Sequence, residues 1–280
     1  MRSAVIGATG IVGGHIVDQL VRRGERPIAL SRSIRSSTMN VEWFEGDLNA
    51  PEKLELPAIS TLYCTANVGL MAVALPYFPR EQLTRAVAFT STSIITKAES
   101  ELRSERESVL LWAESERQFI LACERLGVQW TILRPTLIYD EGRDANVTRL
   151  SRLIEKIGFM PLAGAGSGLR QPVHAEDLAL GAIAAAASSD AKNKIYALAG
   201  TDTITYREMV GRIFDGMQRS RRIVAIPPPL WRAAFALAAP LISNANVAMG
   251  NRMATDMIFD VTPAVNDFGW NPREFRPKFK

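Results

Sequence analysis

Three glycines near the start of the chain have the spacing of a phosphate-binding turn. Gly7, Gly10 and Gly13 form G-A-T-G-I-V-G where an apolar run gives way to an amphipathic segment. In such a turn the first glycine permits a tight bend, the second lets backbone amides approach a pyrophosphate, and the third lets the next helix pack on the sheet. The pattern predicts a dinucleotide site; a purely structural turn is the alternative. The other contacts expected here are Thr9, Ile11 and Val12.

The end of the second predicted strand carries basic residues and no carboxylate. In dinucleotide-binding folds an acidic side chain at this point favours the ribose 2′-hydroxyl, whereas an arginine accommodates a 2′-phosphate. Residues 29–33 read Ala-Leu-Ser-Arg-Ser, so Arg32, together with Arg35, is the candidate phosphate ligand. The sequence favours NADP(H), with NAD(H) as the other cofactor that the site could take. The alternative is that these arginines are merely solvated.

A carboxylate closes the third predicted strand, in Glu-Gly-Asp-Leu at residues 45–48. Asp47 could accept a hydrogen bond from an adenine amino group, and Leu48 is expected to contact the same cofactor. Asp47 could instead cap the helix that follows, because aspartate is a preferred N-cap residue. Both interpretations stay open from the sequence.

Single strands alternate with helices along the first half of the chain, and this order would bring the residues above together. The predicted strands are 3–6, 26–30, 41–44, 61–64, 86–89 and 129–133. The helices include an amphipathic one over 11–20 and a long one from about Glu99 to Leu126. The alternation predicts an α/β fold of the Rossmann type, a doubly wound parallel sheet with helices on both faces.

The sequence becomes less regular after Pro135. Loops rich in Gly and Pro separate short helical pieces such as 175–187 and 206–217. We predict a dinucleotide-binding Rossmann domain over residues 1–139 and a smaller, less regular C-terminal substrate-binding lobe over residues 140–280. Residues from about 173 to 199 are expected to return to the Rossmann domain.

The composition is that of an average folded protein. Of 280 residues 47% are hydrophobic and 22% charged, with a formal net charge of only +4, so neither disorder nor nucleic-acid binding is expected. Cys64 and Cys123 both lie in apolar runs. A disulfide framework is therefore not expected, and a reducing, cytoplasmic location is favoured. No export signal is visible.

Neither a membrane span nor a metal site is expected. The longest apolar candidate, 230–242, is interrupted by Arg232 and Pro240 and is shorter than the roughly 20 residues a bilayer demands. Basic residues 219–222 and the apolar segment from Trp231 could form a helix on a membrane surface, but covering the second lobe is the simpler interpretation. His15 and His174 are the only histidines, and neither has ligand-type neighbours at the spacing of a metal site.

Four motifs together resemble the extended and atypical short-chain dehydrogenase/reductases, and more narrowly bacterial proteins of the NAD-dependent epimerase/dehydratase family. They are the GxxGxxG turn, Gly-Asp-Leu at 46–48, Leu-Arg-Pro at 133–135 and Arg-Gln-Pro-Val-His-Ala-Glu-Asp at 170–177. The resemblance extends to about Gly200. It implies that Ala66 lies against the nicotinamide ribose, and that the stretch from Pro135 to Ile138 lines the nicotinamide end.

The resemblance carries over only part of the family's catalytic set. It implies a Ser or Thr after the fifth strand that orients the substrate oxygen, and Thr92 falls at this position. The family's Tyr-x-x-x-Lys, whose tyrosine transfers the proton and whose lysine lowers the tyrosine pKa, is absent. Its two positions fall near Ser108 and Trp112. Lys97 is the nearest lysine that could reach the site, and a solvated loop lysine is the alternative.

Three residues of the second lobe are candidate substrate ligands. In similar sugar-nucleotide enzymes an arginine at the position of Arg170 grips a substrate phosphate; pairing with Glu176 or Asp177 is the alternative. Arg143 and Asn146 lie in a loop where substrate would bind.

Other polar residues of this lobe have structural interpretations. Asp144 or Asn146 could simply cap a helix. His174 is interpreted as a structural residue rather than a catalytic base, and His15 as a packing or surface residue.

The sequence predicts two functions of different classes. The first is an NAD(P)-binding oxidoreductase or epimerase-like protein acting on an unidentified small or nucleotide-linked carbonyl or alcohol, with Thr92 orienting it. The second is a noncatalytic NAD(P)-binding sensor or assembly factor, which the missing tyrosine and lysine favour. A small-molecule substrate is the expected partner. The span between the fourth and fifth strands is shorter than in the family, so a monomer and a homodimer both stay open.

Overall fold

The computed structural model describes residues 2–79, 82–227, 229–231 and 252–279. Its strands, in chain order, are β1 (Ser3–Ile6), β2 (Ile28–Ser31), β3 (Glu42–Glu45), β4 (Thr61–Cys64), β5 (Arg85–Phe89), β6 (Gln129–Pro135), β7 (Ile138–Tyr139), β8 (Met160–Ala163), β9 (Leu169–Arg170), β10 (Val173–His174), β11 (Lys194–Leu198), β12 (Ile204–Thr205) and β13 (Ile223–Ile226). Its α-helices are α1 (Ile11–Arg22), α2 (Val68–Ala74), α3 (Ser93–Thr96), α4 (Arg103–Leu126), α5 (Val147–Ile157), α6 (Ala175–Ala187), α7 (Tyr206–Gly216) and α8 (Thr262–Phe268). Single turns of 3-10 helix are Pro51–Lys53 and Leu75–Tyr77.

The chain divides into two compact units. The first consists of Met1–Pro135, Ala175–Leu198 and Asp260–Asn271, and the second of Thr136–His174, Ala199–Phe259 and Pro272–Lys280. The first boundary therefore follows Pro135 rather than Tyr139. The first unit also takes in a third segment, 260–271, that the sequence analysis assigned to the second lobe.

A sheet of seven parallel strands forms the centre of the first unit. The strand order is β11-β6-β5-β4-β1-β2-β3, and every neighbouring pair in it is parallel. The order reverses beside β1, which is the point where ligands bind in open α/β sheets. The predicted fold class, a doubly wound parallel sheet of the Rossmann type, is confirmed.

Helices cover the sheet of the first unit in two pairs. The helix α1 packs against α6, and α2 packs against α4. Strand residues alternate in direction, so that Ile6 and Leu62 enter the same apolar cluster as Met71 of α2 and Phe119 of α4. Each such side chain that is removed from water contributes roughly 1.5–3 kcal/mol. This burial holds the carboxyl ends of the strands in place.

Two element boundaries differ from the sequence expectation. Strand β2 begins at Ile28 rather than Arg26, because Ile28 is the first residue paired with β1 and the preceding Pro27 has no N–H to add to a ladder. The long helix begins at Arg103 rather than Glu99. The hydroxyl of Ser100 accepts from the amide of Leu102 and turns the chain before the helix starts.

The second unit is less regular, as expected. Its strands, within the described residues, form two-stranded pairings: β7 with β10, β9 with β12, and β8 with β13. Its apolar core includes Tyr139, Ile154, Phe214 and Phe275, all of which are buried. Across the described stretches of the chain we find no helix with both the length and the apolar character needed to cross a bilayer. The apolar segment that starts at Trp231 lies, from residue 232 to 251, outside the described residues.

Candidate functional site

The glycine turn joins β1 to α1 and has the geometry that its spacing predicts. Gly7 has a φ of +85°, a backbone conformation that favours glycine, and its carbonyl accepts from the amide of Gly10 at 2.9 Å. A Cβ atom on Gly13 would lie 2.2 Å from the carbonyl oxygen of Gly7 and 2.7 Å from the hydroxyl of Thr65. Only glycine at position 13 permits α1 to approach β1 this closely.

The N-terminus of α1 is open to an anion. In the described part of the chain no side chain caps it, and its first turn holds no acidic residue. The N-cap residue Gly10 is exposed, and a Cβ atom there would meet only the carbonyl oxygen of Gly7, at 3.2 Å. The unpaired amides of a helix N-terminus and the helix dipole attract phosphate groups. The turn therefore fits a pyrophosphate.

A cavity of about 270 Å³ opens at this turn, and we call it the glycine-turn cavity. Its wall includes six of the residues expected to contact a cofactor: Gly7, Thr9, Arg32, Asp47, Leu48 and Ala66. It also includes residues that the sequence analysis missed: Ile6, Leu30, Ser31, Gly46, Asn49, Asn67 and Leu70. Of the other expected contacts, Gly10, Ile11, Val12 and Gly13 form the N-cap and first turn of α1.

The basic residues after β2 have different surroundings. Arg32 is exposed and belongs to the cavity wall. The hydroxyls of Ser31 and Ser33, 3.3 Å apart, lie on either side of it in sequence. Arg35 is not part of the wall, and its guanidinium lies 5.0 Å from the ring centroid of Trp43 in a cation–π contact. The structure thus separates two arginines that the sequence analysis grouped.

Asp47 does not cap the short helix that follows it. The N-cap of that helix is Ala50, whereas the carboxylate of Asp47 accepts from the backbone amide of Asn49 at 3.0 Å and from its side chain at 2.9 Å. These hydrogen bonds lower the pKa of Asp47. Asp47 therefore presents an ionised carboxylate, fixed in a tight turn, to the glycine-turn cavity.

A second cavity, of about 180 Å³, lies at the ends of β4 and β5, and we call it the threonine cavity. Its wall is formed by Ala66, Asn67, Val68, Phe89, Thr90, Ser91, Trp112 and Ser115. It shares Ala66 and Asn67 with the glycine-turn cavity. Trp112, at the position of the family's lysine, is thus part of this wall, while the hydroxyl of Ser108 donates to the carbonyl of Ser104.

The two candidate catalytic residues lie near the threonine cavity in sequence but not on its wall. Thr92 is buried, and its hydroxyl donates to the carbonyl of Pro135 at 3.0 Å. Lys97 follows α3, and its ammonium lies 3.3 Å from the carboxylate of Glu105. Lys97 is thus an ion-paired residue with a side chain 27% exposed, rather than the freely solvated lysine of the alternative interpretation.

Arg170 makes neither of the ion pairs considered from the sequence. It is buried, and its guanidinium donates to the backbone carbonyls of Leu169 and Thr255 at 2.7 Å each and to that of Arg252. It also lies over the ring of Tyr206. Burial lowers the pKa of Arg170. These bonds hold the guanidinium within the second unit and link β9 to the segment around Thr255; the role of Arg170 as a substrate ligand stays a prediction.

The other candidate ligands of the second unit lie in the loop before α5. Arg143 is half exposed and lies 3.3 Å from Asp140. The side-chain amide of Asn146 donates to the carbonyl of Ile138, the candidate cofactor contact in β7, at 2.8 Å. The buried carboxylate of Asp144 accepts from the amides of Asn146 and Thr148. Asp144 therefore supplies the capping role that the sequence analysis left open.

His174 has carboxylate neighbours that its sequence spacing concealed. The parallel pairing of β7 with β10 places it opposite Tyr139, and its Nε2 lies 3.3 Å from Glu141. Asp140, Glu141 and His174 bring one ligand-type atom each within 4.8 Å of one another. All three take part in other interactions, including the Asp140–Arg143 pair, so the group is satisfied within the protein.

Glu116 is a charged residue, hydrogen-bonded to the wall residue Thr90 of the threonine cavity, that the sequence analysis missed. It is buried in α4 and accepts from the hydroxyl of Thr90 and from the guanidinium of Arg134. The available signal was its position four residues after Trp112, because residues four apart lie on one face of a helix.

The known proteins that the chain resembles in sequence include a subunit of NADH dehydrogenase and an epimerase. No family model matches it. It is 29% identical over 258 residues to NADH dehydrogenase (ubiquinone) 1 alpha subcomplex subunit 9, mitochondrial, of Arabidopsis thaliana, with 85% of this chain and 62% of that protein covered. It is 21% identical over 300 residues to UDP-glucose 4-epimerase of Vibrio cholerae, with 95% and 89% covered. The chain thus spans less than two thirds of the plant protein's length.

The solved structures that the chain resembles include epimerases as well. The chain is similar to UDP-glucuronic acid 4-epimerase from Bacillus cereus in complex with UDP-glucuronic acid and NAD, with a TM-score of 0.72, 13% identity, and 98% of this chain and 95% of that chain covered. At this identity the match establishes the fold. Together, the matches confirm the resemblance to epimerase-type short-chain dehydrogenase/reductases that the motifs indicated.

Proposed function

We propose that this chain binds a nicotinamide dinucleotide and is an oxidoreductase or epimerase-like protein of the atypical short-chain dehydrogenase/reductase class. The main observation in support is the open N-terminus of α1 beside the glycine-turn cavity, where exposed Gly10 leaves room for a pyrophosphate. A structural neighbour that holds NAD supports the cofactor class. The substrate would be a small or nucleotide-linked carbonyl or alcohol.

The cofactor would extend from the glycine-turn cavity towards the threonine cavity. Amides at the start of α1 would hold the pyrophosphate, Asp47 and Leu48 would contact the adenine end, and the shared residue Ala66 would mark the passage to the nicotinamide end. When bound, such a cofactor supplies hydride transfer.

Of the two forms of the cofactor, the proposal favours NADP(H) over NAD(H). Its support is the exposed guanidinium of Arg32 on the cavity wall, beside the hydroxyls of Ser31 and Ser33. These groups donate hydrogen bonds, which suits a 2′-phosphate. The fixed carboxylate of Asp47 shares this wall, so Arg32 would also have to offset its repulsion of the phosphate.

A catalytic role is supported by the hydroxyl-bearing residues Thr90, Ser91 and Thr92 after β5. The hydroxyl proton of Thr92 is committed to Pro135, so its oxygen can only accept a further hydrogen bond. In the second unit Arg143 and Asn146 are the proposed substrate contacts. Proton transfer would use solvent or a group outside the family's tyrosine and lysine.

A second candidate, a noncatalytic dinucleotide-binding subunit, is favoured by one specific observation. Trp112 lines the threonine cavity at the position of the family's lysine and has no proton to exchange at neutral pH. The similarity to a subunit of NADH dehydrogenase supports the same candidate.

Two experiments test the proposal and separate the candidates. Mass spectrometry of small molecules released from the purified protein, with calorimetric titration of NADP(H) and NAD(H), tests binding; no binding of any form would refute it. A panel of carbonyl compounds with NADPH and of alcohols with NADP⁺, followed by absorbance, tests catalysis. Tight binding without turnover across the panel would favour the noncatalytic candidate.

A further inference from the structure

The hydroxyl of Thr90 has a fixed orientation. It donates to Oε1 of Glu116 at 2.5 Å, and Glu116 is only 3% exposed. The same carboxylate accepts from Nε of Arg134 at 3.0 Å and from a second guanidinium nitrogen of Arg134. A carboxylate held in two bonds by an arginine is an acceptor only. The proton of Thr90 is therefore directed to Glu116, and its oxygen offers a ligand only lone pairs.

The other polar groups of the threonine cavity can be sorted in the same way. Ser115 donates its proton to the carbonyl of Leu111 at 2.7 Å and offers lone pairs. Asn67 accepts from the amide of Leu70 through Oδ1, which leaves its NH₂ group to donate. Ser91 accepts from the amide of Ser93 and can still donate its own proton. No Asp, Glu, Lys or Arg belongs to the described wall. The cavity thus suits a neutral ligand that both donates and accepts.

We infer that Glu116 is a positioning residue that, through Thr90, makes the threonine cavity select a secondary alcohol over the corresponding ketone. An alcohol can donate to Thr90 and accept from Ser91 or Asn67. A ketone can only accept, so a bound ketone would shield the oxygen of Thr90 from water without giving it a hydrogen-bond partner, which costs free energy.

The inference rests on the proposed function, because alcohol and ketone are the two sides of one hydride transfer. Oxidation of the alcohol moves a hydride to the oxidised dinucleotide and releases the hydroxyl proton to water, leaving the ketone. A site that holds the alcohol more tightly than the ketone is saturated by the alcohol at the lower concentration, and it shifts the equilibrium between the two bound forms towards the alcohol. The inference therefore names a substrate class and the form of it that the site favours.

The test compares 1-phenylethanol with acetophenone, which differ by two hydrogens, as probes of the full chain. Binding is measured by ligand-observed NMR titration without added dinucleotide. One net hydrogen bond predicts that wild type binds the alcohol about fivefold more tightly. In Glu116→Gln the side-chain amide can donate to Thr90 and turn the hydroxyl proton towards the cavity. The preference is then expected to fall to about one.

Matched variants separate positioning from damage to the fold. Glu114→Gln makes the same chemical change on the exposed side of α4, where Glu114 pairs with Arg117, and should keep the preference. Thr90→Val should abolish it and Thr90→Ser should restore it, and this pair tests the inference even if Glu116→Gln does not fold. A wild-type protein that binds neither probe or both equally, or a folded Glu116→Gln protein with an unchanged ratio, overturns the inference. Calorimetry with NADP(H) on the same samples reports separately on the proposed function.

Discussion

Gly10 and Gly13 belong to the same motif but meet different physical demands. The neighbours of a Cβ atom at Gly13 are a backbone carbonyl at 2.2 Å and the half-buried hydroxyl of Thr65 at 2.7 Å, and the backbone cannot move without displacing β1. At Gly10 the backbone is extended, with φ −76° and ψ 167°, and only one atom lies near. One glycine therefore serves helix packing, and the other keeps the anion site open.

Alanine at each position should separate folding from binding. Gly10→Ala should cost at most about 1 kcal/mol of stability while weakening dinucleotide binding at least about tenfold, because its methyl group would stand where the pyrophosphate approaches. Gly13→Ala should cost about 3 kcal/mol through overpacking. Urea unfolding and calorimetry on both variants check this. A stable Gly13→Ala protein, or unchanged affinity in Gly10→Ala, would contradict the assignment.

Arg32 should carry the discrimination between cofactors. Arg32→Ala is expected to weaken NADP(H) binding about tenfold or more and to leave NAD(H) binding nearly unchanged, because only NADP(H) has the 2′-phosphate that the guanidinium would pair with. Arg35→Ala is the matched control, since its guanidinium stacks on Trp43 outside the cavity wall. Calorimetry with both cofactors measures the effect. Equal losses for the two cofactors would remove the argument for NADP(H).

Glu141 should make the second unit sensitive to acid. Burial raises the pKa of Glu141, but hydrogen bonds from His174 and from the amide of Lys278 outweigh it, and the net pKa lies below the ordinary value of 4.5. A carboxylate with a lowered pKa stabilises the fold above about pH 4.5 and loses this contribution as pH falls through the lowered value. Glu141→Gln should therefore be less stable than wild type near pH 7, with a difference that shrinks in acid. Urea unfolding at several pH values measures the stability difference between the two proteins. A difference that does not change with pH would contradict this role of Glu141.

At the scale of elements, the spacing of apolar residues predicted a strand or helix correctly where the element is long or lies next to strong turn residues. The β1–turn–α1 unit was predictable because glycines mark both ends of a buried strand and an amphipathic helix. The strand β11 was harder to predict, because its first two residues, Lys194 and Ile195, are both exposed and obscure the alternation of buried and exposed side chains. The helix α8 has one buried residue, Ala264, and carries almost no periodic signal.

The candidate site, too, was only partly predictable from the sequence. Backbone features set by local sequence, such as the glycine turn and the carboxylate of Asp47, lie where they were expected. Pairings across distant segments were not, because sequence spacing does not contain them: Arg170 with the carbonyl of Thr255, His174 with Glu141, and Thr90 with Glu116. Each of these pairings decides what a side chain can still offer to a ligand.

One such pairing joins two elements of the first unit and should matter for stability. Arg85 begins β5, is buried, and donates to the carbonyls of Ala185 and Ala186 at the end of α6 and to the hydroxyl of Thr131. A cation at a helix C-terminus is favourable, and unmet buried carbonyls are costly.

Replacing this arginine should therefore weaken the fold strongly. Arg85→Met is expected to lower the free energy of unfolding by about 3 kcal/mol. Arg103→Met is the control, because the Arg103 side chain is 86% exposed and should change stability by no more than about 0.5 kcal/mol. Chemical denaturation compares the two. Similar effects in both variants would show that the bonds of Arg85 are dispensable.

For the whole molecule, the main feature is that each compact unit is built from three separate segments of the chain. The first segment of the first unit, through Pro135, contains six of the seven sheet strands and the glycine turn. It lacks β11, α6 and α8, so the apolar face that α1 turns to α6 has no cover and Arg85 loses its helix-end partners.

A fragment that ends at Pro135 should therefore fail to fold, although it contains nearly all the proposed cofactor contacts. Circular dichroism and limited proteolysis should show a chain without cooperative unfolding, while the full chain unfolds in a sharp transition. The physical reason is the loss of an edge strand and of a covering helix from a sheet that needs apolar cover on both faces. Cooperative unfolding of the fragment, with dinucleotide binding, would contradict this.

The interleaved segments also set the order in which the protein can form on the ribosome. The residues of β6 are synthesised about 60 residues before those of β11, which pairs with them, and at about 5–20 residues per second this is a delay of several seconds. During that time the apolar residues of β6 lack the strand that covers them in the folded protein, and such an exposed, unpaired segment invites pairing with other chains. Production of this protein should thus depend on chaperones that shield this segment early in translation, more than a chain whose two units followed one another in sequence.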